Sequence, residues 1–534
     1  MELISQHVKK LMEECKLKAI DAGLKFESDT LEYIVTNKDM IELTPKIMIP
    51  TLYDYWVNDV EVLKESGKYK LYPNNPYETV INSRPAISFY NDNNPDWLNV
   101  MIFYHVLGHI DFFQNNRLFA HTWKDDFVGK ALADKRLLAD MRTKYGRWVD
   151  YVIEFTRSIN NLNGYFVELA KNQHNNSENT ILSKVEFYLQ DFLQVIKKRP
   201  DSEIFKEVER LNLWYEKSDD VDYAETMFLI EVKDKYPELQ AEFDKYMANV
   251  HQPKNQDLLE FIRDNSPFLH KSENTWMKEV MTIVRDTAVY FEPQIRTKII
   301  NEGWASYWHD TLFRQDKQMK THEIAYAKLN AMVTSVQRVG LNPYAIGLRL
   351  VQYVEELANE GKISRDFQDL TGVNSREKYD KKTGKGRDAI FDLRTHFSDF
   401  TLVKTFTDQD FVDKHDLFVV GKRINYQKQT EEYYVKSRKA EDYQAMLVDS
   451  LYHPPYVYVD KSRTDDNELC LVHLFEGKPL LQDFIADTLL GIEFLWGGRV
   501  LLETVEITIA QNGVATERPI FYVISNKKVK KMYR

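Results

Sequence analysis

Apolar and polar positions divide the chain into a long helical part and a shorter alternating part. Ile4, Val8, Leu11, Met12, Cys15 and Ala19 recur at helical spacing, which predicts a helix within residues 1–25. Pro45, Pro50, Pro73 and Pro76 punctuate the following segment. Glu78–Asn82 and Ala86–Tyr90 read as short strands or extended segments. From Asn94 to about residue 360 the pattern is mainly helical. Asn94 reads as an N-cap, Pro95 suits a first turn, and Asp96 complements the helix dipole. The polar run Lys171–Thr180 reads as a loop.

Beyond a Lys-, Gly- and Asp-rich stretch at Thr371–Asp388, the periodicity changes. Segments 416–424, 431–438, 456–461, 468–475 and 499–508 look like strands. Segments 440–451 and 481–496 look like helices, the second stopped by Gly497-Gly498. From 431 the order is strand, helix, strand, strand, helix, strand, which is that of a ferredoxin-like βαββαβ unit. The expected class is therefore α+β. A mainly helical domain spans 1–370, a linker or surface loop 371–400, and a smaller α+β domain 401–534.

One predicted helix is apolar on nearly every side and carries two histidines: Trp97-Leu-Asn-Val-Met-Ile-Phe-Tyr-His105-Val-Leu-Gly-His109-Ile-Asp-Phe-Phe113. Residues four apart differ by only about 40° around a helix, so the imidazoles share a face. An all-round apolar helix is buried, and buried imidazoles need partners.

A second segment supplies candidates. Ile295, Ile299, Glu302, Ser306, His309 and Phe313 follow at steps of three or four, in a helix expected to begin near Pro293. The stripe has apolar ends and so faces a core. Gly303 admits a close backbone neighbour, and Trp304 and Trp308 supply bulk. A core-facing glutamate is costly unless paired or metal-bound. His105, His109 and Glu302 with one open position form the ligand pattern of catalytic zinc, so a divalent metal, zinc first, is the expected cofactor. His309 is a fourth ligand, a second-shell partner or an acid/base, and Glu302 and His309 are the candidate catalytic residues. The alternative is a polar core network, with the histidines on backbone carbonyls and Glu302 paired to Arg296 or a distant Arg.

The general base of a zincin, the Glu of His-Glu-x-x-His, is absent, because Val106 stands there. Asp111 points to another face, and His322-Glu323 reads as a surface pair. Asn342-Pro343 reads as a helix cap, not a phosphate loop. Phosphate-loop, nucleophile-elbow and dinucleotide motifs are not found.

Composition adds exclusions. The net charge of −11 gives no general attraction to nucleic acid or anionic membranes, and the basic stretch Lys527–Arg534 reads as a solvated tail. Cys15 and Cys470 make neither a disulfide framework nor a thiolate metal site, and Cys470 reads as a core residue. The start of the chain has no basic leader before an apolar core, and no apolar run approaches the ~20 residues of a membrane span. A cytoplasmic location is expected.

Taken together, His105-Val-Leu-Gly-His109, Phe112–Asn116, Asp257–Asn265, Gln294–His309, Asn342–Gly347, Ser398–Thr401 and Leu495–Thr504 resemble the stage V sporulation protein R (SpoVR) family, in order and in spacing. Gln114 stands where the family pattern has Lys, and the first 70 residues lack its Trp-rich pattern. The resemblance implies a link to sporulation and spore cortex assembly or, in bacteria that do not sporulate, to stress physiology. It also implies a serine-kinase-like AAA+ protein and a von Willebrand A-like protein as partners. No settled reaction comes with it. Two classes stay open: a metal-dependent hydrolase acting on an amide, or a non-enzymatic regulator or adaptor with a structural metal or polar-core site.

Overall fold

The computed structural model describes residues 2–3, 6–27, 29–36, 79–123, 127–164, 184–197, 199, 201–217, 221–249, 256–368, 370–372, 375–376, 378–425, 430–475, 478–509 and 515–533. The Pro45–Pro76 segment and the Lys171–Thr180 loop lie outside them. The chain forms two compact units, one of residues 1–169 with 257–534 and one of residues 170–256.

The larger unit begins with β1 (Glu2–Leu3) and α1 (Gln6–Asp21), the helix its spacing predicts. Strands β2 (Thr30–Val35), β3 (Thr79–Ile81) and β4 (Ala86–Asn91) complete a sheet of order β1-β2-β4-β3. β2 and β4 run parallel, and the other pairs are antiparallel. Next come α2 (Asp96–Asn115), α3 (Phe127–Tyr145) and α4 (Trp148–Asn160). Past the second unit follow α5 (Leu258–Asn265), α6 (Trp276–Arg296), α7 (Lys298–Gln315), α8 (Glu323–Val333) and α9 (Pro343–Glu360). Then come α10 (Gly386–His396), α11 (Asp399–Phe406) and α12 (Gln409–Lys414).

Local chemistry explains several boundaries. Asn342 accepts hydrogen bonds from the amides of Tyr344 and Ala345, and Pro343 opens α9 as its sequence predicts. Ser398 and Thr401 form a reciprocal capping box on α11. The cap of α2 is Pro95, not Asn94, and it offers no side-chain bond. The helix of the second stripe starts at Lys298, not near Pro293. Pro293 sits in the last turn of α6, and Thr297, at φ −127°, breaks the chain between the two helices. Ile295 is consequently 52% exposed and leaves the stripe, whereas Ile299, Ser306, His309 and Phe313 are buried.

The C-terminal part contains β5 (Val419–Asn425), β6 (Thr430–Ser437), α13 (Ala440–Ser450), β7 (Tyr456–Val459), β8 (Glu468–Leu474), α14 (Gln482–Trp496), β9 (Arg499–Ile509), β10 (Ala515–Ser525) and β11 (Lys528–Tyr533). The α+β class holds, but the ferredoxin-like arrangement is corrected. β6 pairs with β5 in a separate ribbon, and the sheet has the order β11-β10-β9-β8-β7. β8 and β9 are parallel, with α14 as the crossover such a pair requires. Gly497, at φ +80°, ends α14 as expected. The basic tail is not free: it forms edge strand β11, paired to β10.

The two largest apolar clusters of this unit, among the described residues, divide its helices between them. One gathers α1, α2, α7, α9 and residues as far as Leu451, among them Phe103, Tyr104, Trp304 and Trp308. The other joins α4, α5 and α6 to one face of the sheet and to α14. Cys470 is buried in β8, the core position expected of it. The smaller unit contains helices Asp201–Lys217, Val221–Lys235 and Leu239–Asn249 and a π-helical turn at Tyr188–Ile196, packed around Tyr188, Phe192, Phe228 and Tyr236. Among the described residues no helix is long and apolar enough to cross a membrane.

Candidate metal centre

Small residues let α2, α7 and α9 meet at backbone distance. A Cβ built on Gly108 of α2 would lie 2.8 Å from the Cα of Ala305 on α7. One built on Gly303 would lie 2.2 Å from the carbonyl carbon of Gly347 on α9. These contacts place the inward stripe of α7 directly against the histidine face of α2.

His105, His109, Glu302 and His309 come together there. The three histidines are 5% exposed or less, and the Glu302 side chain is 18% exposed. Potential ligand atoms of His105, His109 and Glu302 all lie within 4.8 Å of one another. Glu302 Oε2 is 3.5 Å from Nε2 of His105 and 3.5 Å from Nε2 of His109. His309 stands behind His105, with 2.9 Å between their Nδ1 atoms. Arg296, the expected partner of Glu302 in a polar core network, pairs instead with Glu292 at 2.7 Å.

The surrounding hydrogen bonds fix the imidazole tautomers. Asn330 donates its amide N–H to Asp310 at 3.1 Å, so its Oδ1 faces His309 Nε2 as an acceptor at 2.9 Å. His309 therefore carries its proton on Nε2 and offers the Nδ1 lone pair to His105. His105 Nδ1 must donate to it, which directs the Nε2 lone pair of His105 toward Glu302. His109 Nδ1 donates to Asn301 Oδ1 at 2.9 Å and likewise turns Nε2 to the carboxylate. Burial, followed by repulsion from His109, pushes His105 down to about 3, and burial also lowers His309, so both rings are neutral near pH 7. Burial pushes the Glu302 carboxyl up, and a hydrogen bond from the Tyr344 hydroxyl opposes it, the carboxyl staying below its usual range.

The donor set fits a divalent ion. Glu302 Oε2 is buried and accepts no hydrogen bond among the described residues. Ligands about 2.0–2.1 Å from a tetrahedral zinc lie about 3.3–3.4 Å apart. The two 3.5 Å separations are close to that. His105 and His109 also each donate the other ring N–H to a neighbour, the kind of contact that orients imidazoles in metal sites.

Asn301, Asn330, Asp310 and Tyr344 were not legible as site residues. The visible signal was Asn342-Pro343, whose cap seats Tyr344 two residues later against His105, with ring centroids 5.9 Å apart. Asp111 does face elsewhere: it takes hydrogen bonds from the Lys25 amide, Arg394 and Trp304. His322 stacks on Trp97 and Glu323 is exposed, away from the centre. Two cavities of about 490 Å³ lie against Leu451, His473 and Phe484, and against Gly340, Leu417 and Tyr433. None of the four site residues lines either.

The sequence model of the SpoVR like protein family matches residues 2–452. The chain belongs to the SpoVR family. Every site residue lies inside the matched range, whereas Leu495–Thr504 lies beyond it. A SpoVR-family relative, Uncharacterized protein YcgB of Escherichia coli (strain K12), is 24% identical over 496 residues, covering 88% of this chain and 86% of that protein. No solved structure matches.

Proposed function

We propose that this SpoVR protein is built around one divalent metal ion, zinc first, held by His105, His109 and Glu302. The observation that supports this reading is the convergence of two imidazole lone pairs on one buried carboxylate oxygen, at 3.5 Å each. Left alone, three acceptors would repel one another, and a cation makes the arrangement favourable. A bound ion supplies Lewis acidity, and the reaction class we assign is metal-assisted hydrolysis of an amide in a peptide or peptidoglycan-related substrate. His309 holds the His105 tautomer, and the Tyr344 hydroxyl braces Glu302. The setting is the cytoplasm, in sporulation and cortex assembly or in stress physiology. The proposed partners are a serine-kinase-like AAA+ protein and a von Willebrand A-like protein.

Elemental analysis of the purified full chain tests the centre. One equivalent of metal is expected, lost in His109→Ala. Sub-stoichiometric metal unchanged by that substitution overturns it.

A second reading, a regulator with a structural metal, draws on Val106, which is fully buried where a zincin has its base. Glu302→Gln separates the two. Loss of biological function at saturating zinc, with fold and partner binding intact, supports chemistry, and loss of folding supports the structural role.

A further inference from the structure

The helix that carries Glu302 does not cap itself. The first amides of any helix lack intrahelical acceptors. Thr297, at the cap position of α7, turns its hydroxyl to Pro293 O at 2.7 Å and makes no cap bond. The acceptors come from 100 residues away: Asp399 Oδ2 takes the Ile299 amide at 2.8 Å, and Asp399 Oδ1 takes the Ile300 amide at 2.8 Å. Asp399 is 2% exposed. It belongs to the first turn of α11, itself fixed by the Ser398–Thr401 capping box. Its neighbour Phe400 stacks on His453 with 3.9 Å between ring centroids. Both carboxyl oxygens of Asp399 thus serve as the acceptors that the N-terminus of α7 lacks.

The turn it grips begins the helical stretch carrying Asn301, which orients His109, and Glu302, which faces both histidines. On its other side this stretch is pinned by the Gly303–Gly347 contact. We infer that Asp399 is the positioning residue of the centre: from α11 it sets the height and rotation of the first turn of α7, and so the distance of Glu302 and Asn301 from the histidine pair. This rests on the metal-centre reading for its consequence but not for its geometry.

Two measurements on the full chain keep the parts separate. The first is amide hydrogen exchange at Ile299 and Ile300 in Asp399→Asn and Asp399→Ala, without added metal. Exchange is expected to rise at least tenfold there, with distant helices unchanged. The second is zinc affinity by competition with a chromophoric chelator. The dissociation constant is expected to rise about 10–100-fold, the usual cost of losing an outer contact of a metal site, and more in Asp399→Ala than in Asp399→Asn. Unchanged exchange in a folded Asp399→Asn protein overturns the inference, as does faster exchange with unaltered zinc affinity. If the parent chain holds no zinc, the metal reading fails, and faster local exchange still supports Asp399 as the device that places Glu302. If Asp399→Ala does not fold, Asp399→Asn alone decides.

Discussion

Gly303 and Gly347 touch main chain to main chain. A Cβ on Gly303 would stand 2.2 Å from the Gly347 carbonyl carbon, and one on Gly347 would stand 2.0 Å from the carbonyl oxygen of Ile299. Neither obstacle is a side chain that could rotate away, so α7 and α9 would have to separate. Gly303→Ala is therefore expected to destabilise the protein by roughly 3 kcal/mol, at the upper end of core overpacking. Metal content should fall with it, because Glu302 is the adjacent residue. Urea unfolding with parallel elemental analysis checks this, and a variant as stable as the parent would contradict it.

His309 is expected to act through His105. In His309→Leu, His105 loses the acceptor that fixes its tautomer. Zinc affinity should fall about 10–100-fold, while stoichiometry at saturating zinc stays at one. His309→Gln, with a carbonyl oxygen to offer, should recover part of the loss. Complete loss of the metal in both variants would instead make His309 a ligand.

A pH effect is expected away from the centre, at His415. Burial, then repulsion from Arg349 and Lys414, pushes this ring down to about 4 against a weaker opposing pull from Glu356. In the unfolded chain it titrates near 6.5. Between those values the unfolded state binds the extra proton. The stability contributed by neutral His415 is thus complete above about pH 6.5 and declines as pH falls toward 4. Because the ring is only part-buried, the slope should be a fraction of the ~1.4 kcal/mol per pH unit of a fully shifted group. Denaturation at pH 7.5 and pH 5 should show His415→Gln losing less stability on acidification than the parent, and parallel losses would refute it.

The parts of the site legible in the sequence are those set by local rules. All-round apolarity marked α2 as buried, and residues 99–113 are indeed buried without interruption. Spacing put Glu302 and His309 on one inward face. The missing parts depend on contacts between distant segments. The break at Thr297 carries no Gly and follows a proline that reads equally well as a helix start. Asn301 and Asn330 look like ordinary polar residues until folding aims them at imidazoles. The pairing of β6 with β5 is a tertiary choice that strand order cannot express. β11 was hidden by its lysines, although Asn526 and Lys527, at φ +54° and +61°, form the kind of two-residue turn that favours a hairpin.

His105 and His309 are 204 positions apart, and the whole of the 170–256 unit is spelled out between them. When α2 leaves the ribosome, neither Glu302 nor Asp399 has yet been made. The apolar surface of α2 must wait through the synthesis of an entire intervening unit, which is the circumstance in which nascent chains aggregate or recruit chaperones. The cluster is thus a late product of folding, and any chain that stops short of α11 carries the imidazoles without the carboxyl that caps the helix of Glu302.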